Sequence, residues 1–233
     1  MRNAFSAYQL VLFDVDHTLL DFELAEQRAI QKVWEGYFKN SCSLVSFSEA
    51  HHDVNTSLWK DVEQGKVNPS EVRVLRSERL LRRFEFDGVS AQKLGDEFLA
   101  ELGKTAEWLP GAESFFQFIA DKCKVGLITN GLCAVQYPRI DSLGIRSQLA
   151  TYQISEEVGF SKPHPEMFKR ALEETRVEAA NCLMIGDSLS SDFQGAINAG
   201  IDFCWYNPAG TALPSAYPAP RFILNEFTKI LEN

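Results

Sequence analysis

Asp14-Val15-Asp16-His17-Thr18 sets two carboxylates two residues apart, directly behind the apolar run Leu10-Val11-Leu12-Phe13. Side chains at that spacing point to the same side while the chain stays extended. One carboxylate can then attack an electrophile while the other moves a proton. A turn capped by Asp16 would account for the same residues without chemistry. Ile128-Thr129-Asn130-Gly131 ends a second apolar run, and its hydroxyl, amide and glycine turn can cradle an oxyanion. An ordinary strand-to-helix cap has a similar composition. In Ser161-Lys162-Pro163 the proline suits a helix entry and leaves Lys162 extended, although a lone lysine is ordinarily a solvated charge. Gly186-Asp187-Ser188-Leu189-Ser190-Ser191-Asp192 ends a third run, with Asp192 about one helical turn beyond Asp187.

Together these segments are more specific than any one of them. Each falls at or just beyond the carboxyl end of an expected strand, where open α/β sheets bind ligands. One sheet edge would gather Asp14, Asp16, Asp187 and Asp192, a cluster that is unstable without cations. Hard oxygen ligands with no His or Cys among them select Mg²⁺, with Mn²⁺ as substitute, rather than zinc. Lys162 adds a fixed positive charge, and an anion pocket at Thr129 completes a site for phosphate bound against a metal.

The elements that must position these residues follow from hydrophobic periodicity. Nearly unbroken apolar runs at 10–14, 125–129 and 183–187, and weaker ones at 151–154, 203–206 and 222–224, suit strands buried on both faces of a parallel sheet. Helical patterns at 112–121, 133–143, 165–175 and 191–199 alternate with them, which predicts a doubly wound, mainly parallel α/β sheet. Residues 21–106 break the rhythm with helical patterns at 23–38, 48–63, 69–86 and 91–102, separated by turn signals such as Asn68-Pro69 and Asp87-Gly88. The expected organisation is therefore an α/β core of residues 1–20 and 107–233 with an inserted helical domain at 21–106. Inserted after the first strand, that domain should hang over the carboxyl-end site and limit substrates to small molecules.

Composition narrows the function classes. The 233 residues carry 23 Lys and Arg against 32 Asp and Glu, a formal net charge of −9, which disfavours a nucleic-acid partner. No apolar run approaches the roughly 18 residues of a membrane span, and Met1 to Leu10 does not read as a signal peptide. The cysteines at 42, 123, 133, 182 and 204 are odd in number and widely spaced, with no zinc-knuckle or redox pair, which points to a reducing compartment and the cytoplasm.

The order Asp-x-Asp-x-Thr, strand-terminal Thr, Lys and Gly-Asp with a further acidic residue resembles the haloacid dehalogenase-like (HAD) phosphatases across essentially the whole chain. The insertion resembles a type 1 cap. His17 departs from the pattern, since Gly or an acidic residue is commoner there. The resemblance implies Asp14 as nucleophile, Asp16 as general acid/base, and Lys162 as a further catalytic residue that also binds phosphate with Thr129 and Asn130. It implies Mg²⁺ on Asp14, the Asp16 backbone carbonyl and Asp187, with Asp192 behind them. Family members that perform dehalogenation generally lack the second aspartate, so Asp16 favours phosphatase chemistry. Leu58-Trp59-Lys60-Asp61, Ile128-Thr129-Asn130-Gly131, Ile154-Ser155-Glu156-Glu157-Val158-Gly159 with Lys162-Pro163, and Ile197-Asn198-Ala199-Gly200 resemble the noncanonical pyrimidine 5′-nucleotidases of this family. The expected partner is a small phosphate ester, a pyrimidine nucleoside monophosphate first and a sugar phosphate second, handled by a monomer or dimer. A receiver-type signalling domain or a non-catalytic phosphate-binding HAD fold is the alternative outside enzymes.

Three other features stand outside the catalytic motifs. Trp59 is the inserted domain's substrate-specificity candidate, an aromatic able to stack on a base, although filling that domain's core would account for it as well. His51-His52-Asp53 reads as a solvated helix face, because adjacent helical residues do not face one another. Arg73, Arg76, Arg79, Arg82 and Arg83, interleaved with Glu71, Glu78 and Glu85, read as an exposed salt-bridged face.

Overall fold

The computed structural model describes Phe5 and residues 7–231, with side chains as far as Ile230. All six apolar runs form strands: β1 (Leu10–Phe13), β2 (Lys124–Thr129), β3 (Leu149–Ile154), β4 (Cys182–Gly186), β5 (Asp202–Tyr206) and β6 (Phe222–Leu224). They make one sheet in the order β3-β2-β1-β4-β5-β6, with every neighbouring pair parallel. The chain builds outward from β1 in one direction and then from β4 in the other. The switch point therefore lies between these two central strands, where such sheets bind ligands. Phe13 is in register with both Leu127 and Ile185, so β1, β2 and β4 end within two residues of one another along the sheet.

Leu10 and Leu12 pack on one face with Met167, Phe168 and Ala171 of a helix at Pro165–Thr175. Phe13 meets Phe115 and Phe116 of the helix Ala112–Ala120 at ring-centroid distances of 6.1 and 5.6 Å. Both faces of β1 are thus covered, which is why its sequence is apolar without alternation.

The chain separates into two compact units. The first holds the sheet and comprises residues up to Asp21, Trp108–Asn130, and the chain from Gly144 onward. The second comprises Phe22–Glu107 and Gly131–Leu143. Its inserted part contains α1 (Phe22–Val33, continued by a wider turn at Trp34–Phe38), α2 (Leu44–Glu63), α3 (Pro69–Arg83) and α4 (Ala91–Leu102). Local sequence sets the helix starts. Ser43 and Ser90 accept from backbone N–H groups of α2 and α4, and Asn68 forms a capping box with Glu71 ahead of Pro69. Segment 131–143 differs from the expected boundary, which kept everything beyond 107 with the sheet. Leu132 and Val135 bury among Leu99 and Leu102, and Arg139 donates to the Thr105 carbonyl at 2.9 Å, so the helix Cys133–Ser142 belongs to the helical unit.

Two expectations about solvated faces are corrected here. His51 is 1% exposed because it falls on the buried stripe Phe47, Ala50, His51, Leu58 and Val62 of α2. Arg76 is 4% exposed because it falls between Val72 and Leu80 on the buried stripe of α3. Helical periodicity, not residue type, decides both positions. His52, Asp53, Arg82 and Arg83 are exposed as expected.

Candidate active site

Asp14 is buried at the end of β1, and its backbone N–H donates to the Ile185 carbonyl at 2.9 Å. The chain then coils tightly, with Leu19 and Leu20 N–H both donating to the Val15 carbonyl at 2.9 Å. His17 takes a left-handed φ of 64° in this coil, a region that side-chain-bearing residues enter rarely. The turn buries Thr18, whose Oγ1 donates to Asp187 Oδ1 at 3.1 Å and accepts from the Asp187 N–H at 3.1 Å. One hydroxyl therefore ties the loop after β1 to the loop after β4. Trp205 on β5 adds its indole N–H to the Asp187 carbonyl at 2.9 Å.

Lys162 is 1% exposed, and its ammonium donates to Asp14 Oδ1 at 2.5 Å, Asp192 Oδ1 at 2.7 Å and the Ile128 carbonyl at 2.8 Å. An ammonium has three protons, and all three are directed. Asp192 is braced in turn, because its Oδ2 accepts from the Ser188 N–H at 3.1 Å. Gly186 makes this arrangement possible, since a Cβ there would overlap the Asp192 carboxylate. Thr129 is buried at the end of β2. Asn130 turns its amide onto Lys162, accepting from the Lys162 N–H at 2.6 Å and donating to the Lys162 carbonyl at 2.8 Å. The Lys162-Pro163 peptide is cis.

The electrostatics follow from burial. Burial pushes the Asp14 carboxyl up to about 7, the Lys162 ammonium pulling against it and the Asp192 and Asp16 carboxylates adding to it. Burial and the neighbouring Asp14 raise Asp187 to about 6. Burial likewise raises Asp192. For Lys162 burial acts downward, but Asp14 and Asp192 overcome it and hold the ammonium above its ordinary value. Excess negative charge is thus packed around one saturated cation.

A model of the haloacid dehalogenase-like hydrolases matches residues 8–200. The chain belongs to that family. It is 33% identical over 201 residues to pyrimidine 5′-nucleotidase YjjG of Escherichia coli, covering 84% of this chain and 85% of that protein. It is 40% identical over 202 residues to glyceraldehyde 3-phosphate phosphatase of Pyrococcus abyssi, covering 85% of this chain and 81% of that protein. The solved structure of the HAD-hydrolase YfnB from Bacillus subtilis, bound to magnesium, superposes with a TM-score of 0.85 at 28% identity, over 97% of each chain.

The donor set suits the hard cation found in that relative. Asp14, Asp187 and Asp192 each offer a carboxylate oxygen, and these oxygens lie within 4.8 Å of one another. The raised carboxyl values of Asp14 and Asp187 mark an acidic site that a divalent cation would relieve. Asp14 and Asp187 commit one oxygen each to Lys162 and Thr18, whereas Asp192 commits both to Lys162 and Ser188.

Of the residues expected in a HAD site, Asp14, Lys162, Asp187 and Asp192 come together directly. Asp16 stands partly exposed two residues past Asp14, and Thr129 lies at the adjoining strand end. The Asn130 side chain is occupied by Lys162. Trp59 is half-buried against the small cluster of Leu58, Val62 and Val72 within the helical unit. The sequence alone gives Thr18, Ser188 and Trp205 no distinct role. Thr18 closes the Asp-x-Asp-x-Thr motif and Ser188 precedes a helical turn, so both carried a signal. Trp205 sits in an apolar strand and carried none. Among the described residues, no helix is long and apolar enough to cross a membrane.

Proposed function

We propose that this hydrolase is a Mg²⁺-dependent phosphomonoesterase that works through an aspartyl-phosphate and prefers pyrimidine nucleoside 5′-monophosphates. The observation that carries the phosphatase reading is the buried Asp14–Lys162–Asp192 cluster at the end of β1, with Asp16 two residues beyond. Asp14 attacks phosphorus with a carboxylate oxygen, and the bond from phosphorus to the nucleoside oxygen breaks. Asp16 gives its proton to that leaving oxygen, then takes one from the water that attacks the aspartyl-phosphate. Inorganic phosphate leaves and the Asp14 carboxylate is restored. Lys162 offsets negative charge on Asp14 and on the incoming phosphate, and the Thr129 hydroxyl meets a phosphate oxygen. Asp14, the Asp16 backbone carbonyl and Asp187, with Asp192 behind them, would hold Mg²⁺, which would supply the remaining charge neutralisation.

The nucleotide preference rests on the likeness to YjjG and on the resemblance of the segments around Trp59, Ser155 and Asn198 to the pyrimidine nucleotidases of this family. A sugar-phosphate substrate is the second reading, favoured by the relative from Pyrococcus abyssi. The test is kcat/KM with Mg²⁺ for dUMP, dTMP, dAMP, dGMP, glyceraldehyde 3-phosphate and p-nitrophenyl phosphate. Pyrimidine nucleotides should turn over best. Sugar phosphates in first place would replace the nucleotidase reading. An Asp14→Asn protein that folds should be inactive, and Asp16→Asn should lose about 10²–10⁴ in rate. Absence of multiple turnover on every phosphate ester would reject the phosphatase reading.

A further inference from the structure

Trp205 directs its one polar atom at the loop that carries the acidic cluster. It lies on β5 in register with Gly186, the last residue of β4, and belongs to the core cluster of Met184, Phe193 and Phe203. Its side chain is buried, and a buried indole N–H usually finds a hydrogen-bond partner. This one passes beyond the strand ladder to the Asp187 carbonyl at 2.9 Å. A phenylalanine ring would supply apolar contact there without that bond.

The accepting carbonyl is one edge of a peptide unit whose other edge is also in use. The Asp187–Ser188 peptide is planar and trans, so its C=O and N–H point to opposite sides. The C=O meets Trp205, and the N–H donates to Asp192 Oδ2 at 3.1 Å. The other Asp192 oxygen, Oδ1, accepts from Lys162 Nζ at 2.7 Å. Thr18 cannot fix this peptide, because it grips Asp187 on the far side of the Cα. Its Oγ1 accepts from the Asp187 N–H and donates to Asp187 Oδ1, each at 3.1 Å. Rotation about the Asp187 Cα–C bond would leave both Thr18 bonds intact while swinging the Ser188 N–H away from Asp192. Trp205 opposes that rotation from the neighbouring strand.

We infer that Trp205 is a positioning residue for the acidic cluster: its indole N–H fixes the Asp187–Ser188 peptide and, through the Ser188 N–H, orients Asp192 beside Lys162. Asp187 is then held at its N–H, its carbonyl and one carboxylate oxygen, which aims the second oxygen at a cation. This inference rests on the Mg²⁺-dependent reading of the site and adds a residue that lies outside its motifs. Loss of a group that orients metal ligands typically costs about 10–100-fold in metal affinity or activity.

The experiment measures Mg²⁺ binding to metal-free protein by calorimetry and follows the indole N–H resonances of Trp34, Trp59, Trp108 and Trp205 by ¹⁵N NMR, assigned by replacing the tryptophans singly. Mg²⁺ should move the Trp205 resonance with the dissociation constant that calorimetry gives. Trp205→Phe should raise that constant by about tenfold or more. A Trp205→Phe protein that melts at a lower temperature but keeps the wild-type dissociation constant would make Trp205 a packing residue and overturn the inference. If Trp205→Phe does not fold, the wild-type resonance decides: a shift on Mg²⁺ saturation supports the inference, and an unmoved resonance overturns it. Wild-type protein that binds no Mg²⁺ by either measurement defeats the metal-dependent reading itself, and this assignment with it.

Discussion

Asn130 grips Lys162 by both ends of one amide, its oxygen on the lysine N–H at 2.6 Å and its nitrogen on the lysine carbonyl at 2.8 Å. The grip fixes the backbone from which the Lys162 side chain reaches Asp14, Asp192 and the Ile128 carbonyl. Asn130→Ala frees that backbone while leaving every charge in place. Misplacement of a catalytic group by about 1 Å can reduce rate 10²-fold, so kcat on p-nitrophenyl phosphate should fall by about 10–10². Asn130→Asp keeps the acceptor for the lysine N–H but sets a carboxylate oxygen against the lysine carbonyl, so it should not rescue the activity lost in Asn130→Ala. Equal, near-wild-type kcat in both variants would show that Lys162 needs no such grip.

Gly186→Ala tests the brace on Asp192. The new methyl would overlap the Asp192 carboxylate, which must move away from Lys162 or push β4 aside. Overpacking of this kind destabilises by about 1–3 kcal/mol. A lower melting temperature together with reduced kcat is expected. An unchanged melt and unchanged rate would mean that Asp192 can shift without consequence.

Trp59 is expected to behave as a packing residue. Its half-buried ring lies against Leu58, Val62 and Val72 within the helical unit. Trp59→Ala should lower the melting temperature and raise KM for dUMP and p-nitrophenyl phosphate by similar factors. A KM increase confined to nucleotides would restore Trp59 as a base-stacking residue.

Much of the fold was legible because two-sided burial leaves a strong mark. The β1, β2 and β4 sequences are apolar runs that end at Asp14, Thr129 and Asp187, and parallel register then brings those ends together. The constellation of Asp14, Lys162, Asp187 and Asp192 followed from motif order. Three things were not legible. The amide of Asn130 looks the same in sequence whether it faces a phosphate or a backbone, and only the path of the chain at Lys162 decides. The attachment of residues 131–143 to the helical unit depends on the facing surfaces of Leu99, Leu102, Leu132 and Val135, not on local pattern. Adjacency in His51-His52-Asp53 and the interleaved glutamates around Arg76 both suggest solvated faces, whereas the i, i+4 positions of Phe47 and Val72 place His51 and Arg76 on the buried stripes.

The acidic cluster predicts a pH-dependent response to metal. Asp14 sits near 7 and Asp187 near 6 in the folded protein, both above the ordinary carboxylate value of 3.8. Between that value and their folded values, the folded state binds more protons at these sites than the unfolded state. Stability from this cluster therefore falls as pH rises through the window from about 4 to 7 in the absence of metal. His51 contributes an opposite slope, since burial first, then Arg76 and His52, hold it neutral, and the unfolded chain gains a proton below about 6.5. Asp187→Asn removes that residue's share of the carboxylate slope and leaves the His51 slope in place. A divalent cation takes the place of the protons and requires ionised carboxylates, so its binding weakens on acidification. The rise in melting temperature on adding saturating Mg²⁺ at pH 8 should exceed that at the same Mg²⁺ concentration at pH 5.5. Asp187→Asn should lose most of the rise at pH 8, because it removes a ligand, and should be more stable than wild type in metal-free buffer at that pH, because it removes a buried charge. A Mg²⁺ effect that is independent of pH, or equal in Asp187→Asn and wild type, would mean that the cation binds elsewhere.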